Sequence, residues 1–313
     1  MAISKFLDPK NDLAFKRVFG SEKNKGILID FLNDIFLGQL SPIEKVKFLK
    51  PTQEPEVASQ RVSLVDIMCE ATNGDRFIVE MQVMHEPGFE KRAQFYAARA
   101  YIDQRQKGVE YRDLQQVIFL AITDFIVFPK KKDYLSHHYI LDRKTYERDL
   151  KDFSFSFLEL PKFKKTADQL DTMIEKWTYF FQHAQETTER EVEEIFKTDD
   201  AIKRAYEALN QYNWSPGDML NYNSVDMKMS ADRAILWGAK EEGLTLGRAE
   251  GRAEGRAEGR AEGIEEGKMQ GENKSKLEIA LNLLQMKFDP ATVAKITSIN
   301  IDDIKKLSAD KIL

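Results

Sequence analysis

Residues 61–84 read RVSLVDIMCEATNGDRFIVEMQVM, and the spacing of this stretch decides the fold. Apolar and polar side chains alternate on both sides of an Asn-Gly pair, which is typical of two strands joined by a tight turn. A two-residue turn would oppose the apolar face of one strand to the polar face of the other. A three-residue turn that includes Thr72, with Gly74 in the left-handed conformation, pairs Ile67 with Val79 and matches the apolar faces. We predict this second register.

The predicted register places Asp66 directly opposite Glu80, and Glu70 opposite Arg76 as a favourable pair. Two carboxylates about 5 Å apart repel by about 3 kcal/mol at an effective dielectric constant near 20. Protonation, a cationic side chain or a divalent cation would relieve this repulsion. Gln82 shares the face and adds a neutral oxygen, so the set suits Mg²⁺ or Mn²⁺. The alternative is a solvated polar face on an edge hairpin.

Helical and strand patterns alternate along the first half of the chain, which predicts an α/β or α+β fold. A helical pattern runs from Asp8 to about Gly38, with Gly20 and Gly38 as natural ends and Asp8 as the N-cap before Pro9. A further helix is predicted from about Pro87 to Lys107. Strands are predicted at 44–49, 61–72, 75–84, 114–123, 138–141 and 153–160. Beyond residue 165 only helical patterns remain, with a loop predicted at 213–222.

These changes of pattern divide the chain into four predicted segments. They are a mixed domain at 1–165, a helical region at 166–240, a glycine-repeat helix at 241–272 and a small helical segment at 273–313, which breaks at Asp289-Pro290.

The glycine repeat begins at Gly247 with four copies of GRAE, and glycine recurs every fourth residue as far as Gly271. On a helix this spacing forms one slowly drifting ridge of glycines. Each glycine costs about 1 kcal/mol relative to alanine, and the like charges four residues apart add to that cost. We interpret the repeat as a helix that needs a partner, most simply a second copy of the chain. A flexible linker is the alternative.

The composition, with 42% hydrophobic and 32% charged residues, is sufficient for a core with a well-solvated surface. The chain has no apolar run of about 18 residues, so no membrane span is predicted. Its start lacks the apolar segment of a secretory signal, and its single cysteine, Cys69, excludes an internal disulfide. These features predict a cytoplasmic protein. The net charge of −5 gives no global signal for nucleic-acid binding.

Four stretches resemble the Rpn family of recombination-promoting nucleases, also named transposases, within the PD-(D/E)xK nuclease superfamily. They are DPKNDLAFKRVFG from Asp8, IVEMQ from Ile78, EKRAQFYAARAY from Glu90 and GVEYRDLQQVIFLAITDF from Gly108. The resemblance runs from about Asp8 to Leu160. It implies a nuclease-like mixed sheet flanked by helices, followed by the all-α region with its repeat helix, and metal-dependent cleavage of DNA.

Carried over to this chain, the resemblance makes Asp66 and Glu80 ligands of Mg²⁺ or Mn²⁺, with the Met81 carbonyl as a backbone ligand. Gln82 stands where the superfamily usually has lysine, and glutamine cannot supply that positive charge. This departure puts the activity in doubt, although some nucleases of this fold carry glutamine there.

Other residues can complete the site. Asp12 and Lys16 lie one helical turn apart, so Lys16 can supply the missing charge and Asp12 a further acid. An ordinary surface ion pair is the alternative. Arg92, Tyr96 and Arg99 share one face of the next helix and suit contacts with DNA phosphates, or they form a solvated polar face.

The leading hypothesis is a metal-dependent DNA endonuclease, recombination-promoting or transposase-like, that forms a homodimer through the repeat helix. Asp66, Glu80, Gln82 and Lys16 would be its catalytic residues. The alternative is a non-catalytic interaction protein built on a degenerate nuclease fold, which Gln82 and the acidic balance favour.

Overall fold

The computed structural model describes residues 5–49, 52–53, 63–105 and 109–309. Contacts within the chain divide it into two units, Met1–Arg233 and Ala234–Leu313. The strands of the described residues are β1 (Val46–Phe48), β2 (Thr52–Gln53), β3 (Ser63–Leu64), β4 (Ile67–Ala71), β5 (Arg76–Gln82), β6 (Val117–Thr123), β7 (Leu135–Tyr139) and β8 (Phe153–Glu159). The α-helices are α1 (Asp12–Phe19), α2 (Lys25–Ile35), α3 (Phe89–Ile102), α4 (Met173–His183), α5 (Glu189–Ile195), α6 (Asp200–Leu209), α7 (Pro216–Gln285), α8 (Pro290–Thr297) and α9 (Ile301–Ala309).

A mixed six-stranded sheet organises the first unit, in the order β1-β4-β5-β6-β8-β7. The strand β6 pairs in parallel with β5 on one side and with β8 on the other. All seven residues of β6 are buried, as expected for a parallel strand with both faces covered. Antiparallel strands complete the sheet: β4 pairs with β1 and β5, and β7 with β8. This architecture confirms the predicted mixed sheet flanked by helices.

The β4–β5 hairpin has the predicted register, in which Ile67 pairs with Val79 and Glu70 with Arg76. Gly74 adopts a φ of 90°, which is the left-handed conformation expected at the end of the three-residue turn. The Arg76 Nε lies 3.4 Å from the Glu70 Oε2, so the predicted cross-strand ion pair is present.

Helices cover both faces of this hairpin. The odd-numbered apolar residues of β4 and β5 join a core with α1, α2, α4 and α6. On the other face, Met68 and Ile78 pack against Ala93 and Ala97 of α3. The alternative of a solvated polar face is therefore wrong, and the even-numbered acids lie beneath a helix.

The helices α4, α5 and α6, which follow residue 165, belong to the same unit as the sheet. Trp177 and Phe181 of α4 and Tyr206 of α6 share a core with Phe15 and Phe31 of α1 and α2. The change at residue 165 is thus a change from mixed to helical structure inside one unit.

Two predicted features at the starts of helices are wrong. The N-cap of α1 is Asn11, whose side chain accepts a hydrogen bond from the Leu13 N–H. Asp8 instead closes a turn by accepting from the Lys10 N–H. The predicted loop at 213–222 is largely helical, because α7 begins at Pro216, where proline is compatible with the first helical turn. The acidic helix α5 was not predicted as a helix.

The second unit contains most of α7, with α8 and α9. Ala280, Val293 and Ile304 form its small buried core. Asp289 caps α8 before Pro290, so the predicted break is confirmed. The glycine repeat lies within α7. Of the helices in the described residues, none combines the length and apolarity needed to cross a bilayer.

Candidate nuclease site

The hairpin brings two carboxyl groups together at one end of the sheet. Asp66 immediately precedes β4, and its Oδ2 accepts a 2.9 Å hydrogen bond from the Met81 N–H. Glu80 occupies the opposing position on β5, and the Asp66 carboxyl is close enough to contribute to the raised pKa of Glu80. The predicted convergence of these two acids is therefore present.

Both acids lie in a poorly solvated environment. The Glu80 residue is 6% exposed, and the Asp66 side chain is 16% exposed. Burial, followed by the Asp66 carboxyl, raises the pKa of Glu80 well above its usual range. Burial also raises the pKa of Asp66, although the Met81 N–H and the Lys16 ammonium oppose that rise. The pair therefore favours retaining a proton or attracting a cation.

The donor set fits a hard divalent cation. Within the described residues, no hydrogen-bond donor reaches the buried Glu80 Oε1. The Met81 N–H points toward Asp66, and the N–H and C=O of one strand residue point to the same edge, so the Met81 carbonyl lies on that side too. Two carboxylates and one carbonyl leave positions for water and phosphate oxygens, which is the arrangement that Mg²⁺ prefers.

The acid pair alone provides only two carboxylate side chains for a metal ion. The described part of the chain contains no cluster of three or more His, Cys, Asp or Glu side chains able to hold a metal. A cation bound at this pair would therefore need oxygen atoms from water or substrate to complete its coordination.

Lys16 extends from α1 to the acid pair. Its Nζ lies 3.4 Å from the Asp66 Oδ1 and 2.7 Å from the Asp12 Oδ1. Burial lowers the pKa of Lys16, but the Asp12 and Asp66 carboxylates outweigh this effect and raise the pKa above its usual value. Lys16 is therefore a fixed positive charge beside Asp66, and Asp12 lies at the outer side of the same cluster.

Arg92 reaches the same site from α3. Its Nη2 donates a 2.6 Å hydrogen bond to the Gln82 Oε1, and its Nη1 pairs with the Glu86 carboxylate. The Gln82 Nε2 donates in turn to the Met84 carbonyl over 3.2 Å. The glutamine at the usual lysine position is thus oriented by a neighbouring cation.

The other two polar residues of α3 lie at increasing distances from the acids. Tyr96 is close enough for Glu80 and Asp66 to influence its pKa, which burial raises above its ordinary value. Arg99 lies about 10 Å beyond Arg92 along the helix axis, and its Nε pairs with the Asp103 Oδ1 at 3.1 Å. The structure therefore brings Arg92 and Tyr96 toward the carboxyl pair and places Arg99 beside another acid.

A comparison with protein families identifies the chain's relatives. A family model described as PD-(D/E)XK nuclease family transposase matches residues 9–237, which is most of the chain. The chain belongs to this family. No curated protein and no solved structure matches it significantly.

Membership in the PD-(D/E)XK nuclease family transposases confirms the resemblance noted in the sequence. The hydrogen bond between Arg92 and Gln82, in contrast, is not predicted by the sequence. Their separation along the chain is not a helical or strand repeat, so only the docking of α3 on the sheet reveals the contact.

Proposed function

We propose that this protein is a metal-dependent endonuclease that hydrolyses phosphodiester bonds in DNA, with Mg²⁺ as the cofactor and Mn²⁺ as a substitute. The observation that supports the proposal is the buried Asp66–Glu80 pair, in which the Glu80 Oε1 has no donor among the described residues. The Met81 N–H and Lys16 partly compensate the burial of Asp66, and a bound cation would also neutralise the buried Glu80 carboxylate.

Asp66, Glu80 and the Met81 carbonyl would hold the cation. When bound, such a cation stabilises charge on the phosphate and lowers the pKa of water. Asp66 is oriented by the Met81 N–H and by Lys16, so its carboxylate is positioned before substrate arrives.

The surrounding residues provide positive charge and orientation. Lys16 carries a charge that can meet a phosphate oxygen when Asp66 turns to a cation. Arg92 holds Gln82 and presents a guanidinium that suits phosphate oxygens. Asp12 keeps Lys16 in place, while Tyr96 lines the α3 side of the site.

A wider role follows from the same chemistry. DNA cleavage suits recombination or transposition in the cytoplasm. A homodimer joined through the glycine-repeat helix, residues 241–272, would carry two cleavage sites, as cutting both strands of a duplex requires. The rest of the chain would comprise a nuclease-like domain at 1–165, a helical region at 166–240 and a small helical segment at 273–313.

A second candidate function is a non-catalytic interaction protein built on a degenerate nuclease fold. Gln82 favours it, because the usual lysine is absent, and so does the net charge of −5. Cleavage activity separates the two candidates.

The deciding experiment is cleavage of supercoiled plasmid with and without Mg²⁺. We expect Mg²⁺-dependent nicking by the parent and its loss in Asp66→Ala and Glu80→Ala. Glu70→Ala is the matched control, because Glu70 is an ion-paired acid at the other end of the same hairpin. Undiminished cleavage by the two site variants, or none by the parent, would contradict the proposal.

A further inference from the structure

The segment at residues 124–134, here named the lysine loop, connects β6 to β7 at the same sheet edge as the acid pair. The strands β5 and β6 are parallel, so their carboxyl ends coincide. The Gln82 carbonyl there accepts a 2.9 Å hydrogen bond from the Asp124 N–H. Because β7 is antiparallel to β8, it begins at this edge. The loop therefore crosses the end of β8 beside the candidate nuclease site.

A buried ion pair holds the lysine loop in shape. The Glu159 Oε2 accepts hydrogen bonds from the Val127 and Phe128 N–H groups at 2.8 and 3.1 Å. The Lys162 Nζ lies 2.7 Å from the Glu159 Oε1 and donates to the Phe128 carbonyl at 3.0 Å. The two side chains are 0% and 7% exposed. Burying such a pair is costly, and here its hydrogen bonds set the path of the loop.

Aromatic contacts join the start of the loop to the site's helix. The Phe125 ring lies 5.0 Å from the His85 ring and 5.8 Å from the Phe89 ring. Phe89 is the first residue of α3, the helix that carries Arg92. The loop and the candidate site therefore form one continuous part of the first unit.

The outer turn of this braced loop presents Lys130, Lys131 and Lys132, all exposed. Among the described residues, no carboxylate forms an ion pair with any of the three. The Lys131 Nζ lies 5.2 Å from the centroid of the Phe128 ring and 3.3 Å from the His138 Nε2, and neither of these partners is an acid. Three adjacent charges without acidic partners contrast with a chain whose net charge is −5.

We propose that Lys130, Lys131 and Lys132 bind the DNA backbone beside the cleavage site. This inference rests on the proposed function, because it places the same duplex across the sheet edge. The loop covers the ends of β6, β8 and β7, which lie about 5–15 Å from β5 at ordinary strand spacing. That span reaches phosphates up to about four base pairs from the cut.

The test measures binding of the full chain to a short fluorescent duplex by anisotropy, in EDTA so that no cleavage occurs. We expect Lys130→Ala/Lys131→Ala/Lys132→Ala to weaken binding at least about tenfold near 0.1 M salt. The slope of log affinity against log salt should fall by about 2–3, since each lost phosphate contact removes about 0.9.

Arg143→Ala/Lys144→Ala/Lys151→Ala is the matched control. These exposed residues lie in the next loop, between β7 and β8 at the opposite sheet edge, and the substitution removes the same charge. The control should retain the parent's affinity and salt slope.

The possible outcomes separate this inference from the proposed function. Equal losses in both triple variants, an unchanged salt slope in the lysine variant, or a parent that does not bind DNA would each overturn the lysine-loop proposal. A parent that binds through the loop but does not cut plasmid would support the loop and reject the endonuclease.

Discussion

The Arg92 Nη2 donates a 2.6 Å hydrogen bond to the Gln82 Oε1, and this contact links α3 to the end of β5. The superfamily's usual lysine position is therefore occupied by a neutral amide that carries a cation as its partner. A guanidinium offers several N–H donors and no acceptor, so Arg92 can stabilise negative charge on a neighbouring oxygen.

This contact changes the expected effect of Gln82→Lys. An ammonium at this position would meet the Arg92 guanidinium, and the repulsion should destabilise the protein by about 1–4 kcal/mol for charges about 4 Å apart, at effective dielectric constants between 80 and 20. We expect lower plasmid nicking and a lower melting temperature than in the parent. The double variant Gln82→Lys/Arg92→Leu should recover both, because one cation then remains. Higher activity in the single variant would show that Arg92 does not oppose lysine there.

Glu80→Gln should stabilise the cation-free protein above neutral pH. Because the pKa of Glu80 is raised in the folded state, its contribution to stability is complete below the unfolded value and is lost as pH rises through the folded value. The amide does not ionise, so the variant should escape this loss, gaining about 1–3 kcal/mol from relieved repulsion.

This difference in the free energy of unfolding is measured by denaturant unfolding over a range of pH. The range starts at pH 4.5, the ordinary pKa of Glu80, and extends to alkaline pH. At the alkaline end, Mg²⁺ should raise the melting temperature of the parent but not of Glu80→Gln. Parallel pH curves for the two proteins would count against the assigned burial of charge at Glu80.

Lys16→Ala should separate cation binding from turnover. The Lys16 ammonium lies 3.4 Å from the Asp66 Oδ1 and competes with a metal for that oxygen. Its removal should lower the Mg²⁺ concentration needed for half-maximal nicking, while the maximal rate falls about tenfold or more because a charge near the phosphate is lost. Lys23→Ala, an exposed lysine beyond the same helix, should change neither. An unchanged maximal rate would leave Lys16 with only a structural role.

The Cys69 thiol should react only when the protein unfolds. Cys69 is 0% exposed in β4, and burial raises the pKa of its thiol to about 12, so the reactive thiolate is scarce at neutral pH. The rate of reaction with a chromogenic disulfide should equal the unfolding rate at high reagent concentration. The variant Cys69→Ala/Ser41→Cys, with its thiol at an exposed position, should react at once. Rapid labelling of native parent would contradict the burial of Cys69.

The glycine ridge predicts different effects of small and large side chains. A Cβ atom built on Gly251, Gly255 or Gly259 meets no atom within 4 Å other than the neighbouring backbone of its own helix. Replacing all three by alanine should therefore raise helix stability by about 1 kcal/mol at each position. Replacing them by leucine should block close approach of a second helix. Sedimentation should show an associated parent and a dissociated leucine variant. A monomeric parent, or a leucine variant that associates as before, would refute the interface.

The sequence pattern predicted correctly those features that depend on residues close together in the chain. The match of apolar faces set the hairpin register, and with it the opposition of Asp66 to Glu80, because a shift of one residue would exchange the faces of a strand. The side chain of Lys16 also lies near the acids, as predicted. Asp12 and Lys16 are one helical turn apart, so both side chains project from the same face of α1. The N-cap of α1 was not predicted correctly. Asp8 and Asn11 both have side chains able to cap a helix, and packing decides between them.

The features of the site that the sequence did not predict depend on tertiary packing. The hairpin pattern alone leaves open whether the face with the acids is solvated, and the packing of α3 on that face decides it. Residue spacing does not predict the Arg92–Gln82 hydrogen bond. It also does not predict the buried Glu159–Lys162 ion pair that holds the lysine loop, because each contact depends on how distant elements dock.

The hairpin that carries both acids has consequences for the order of folding. Its strands are joined by a three-residue turn, so their contacts close early, whereas β6 pairs with β5 only after the chain has passed through α3. Asp66 and Glu80 are then brought together before Arg92 can dock beside them. Closing the hairpin thus costs less chain entropy than docking α3, and until α3 docks the positive charge nearest the two acids is Lys16 of α1.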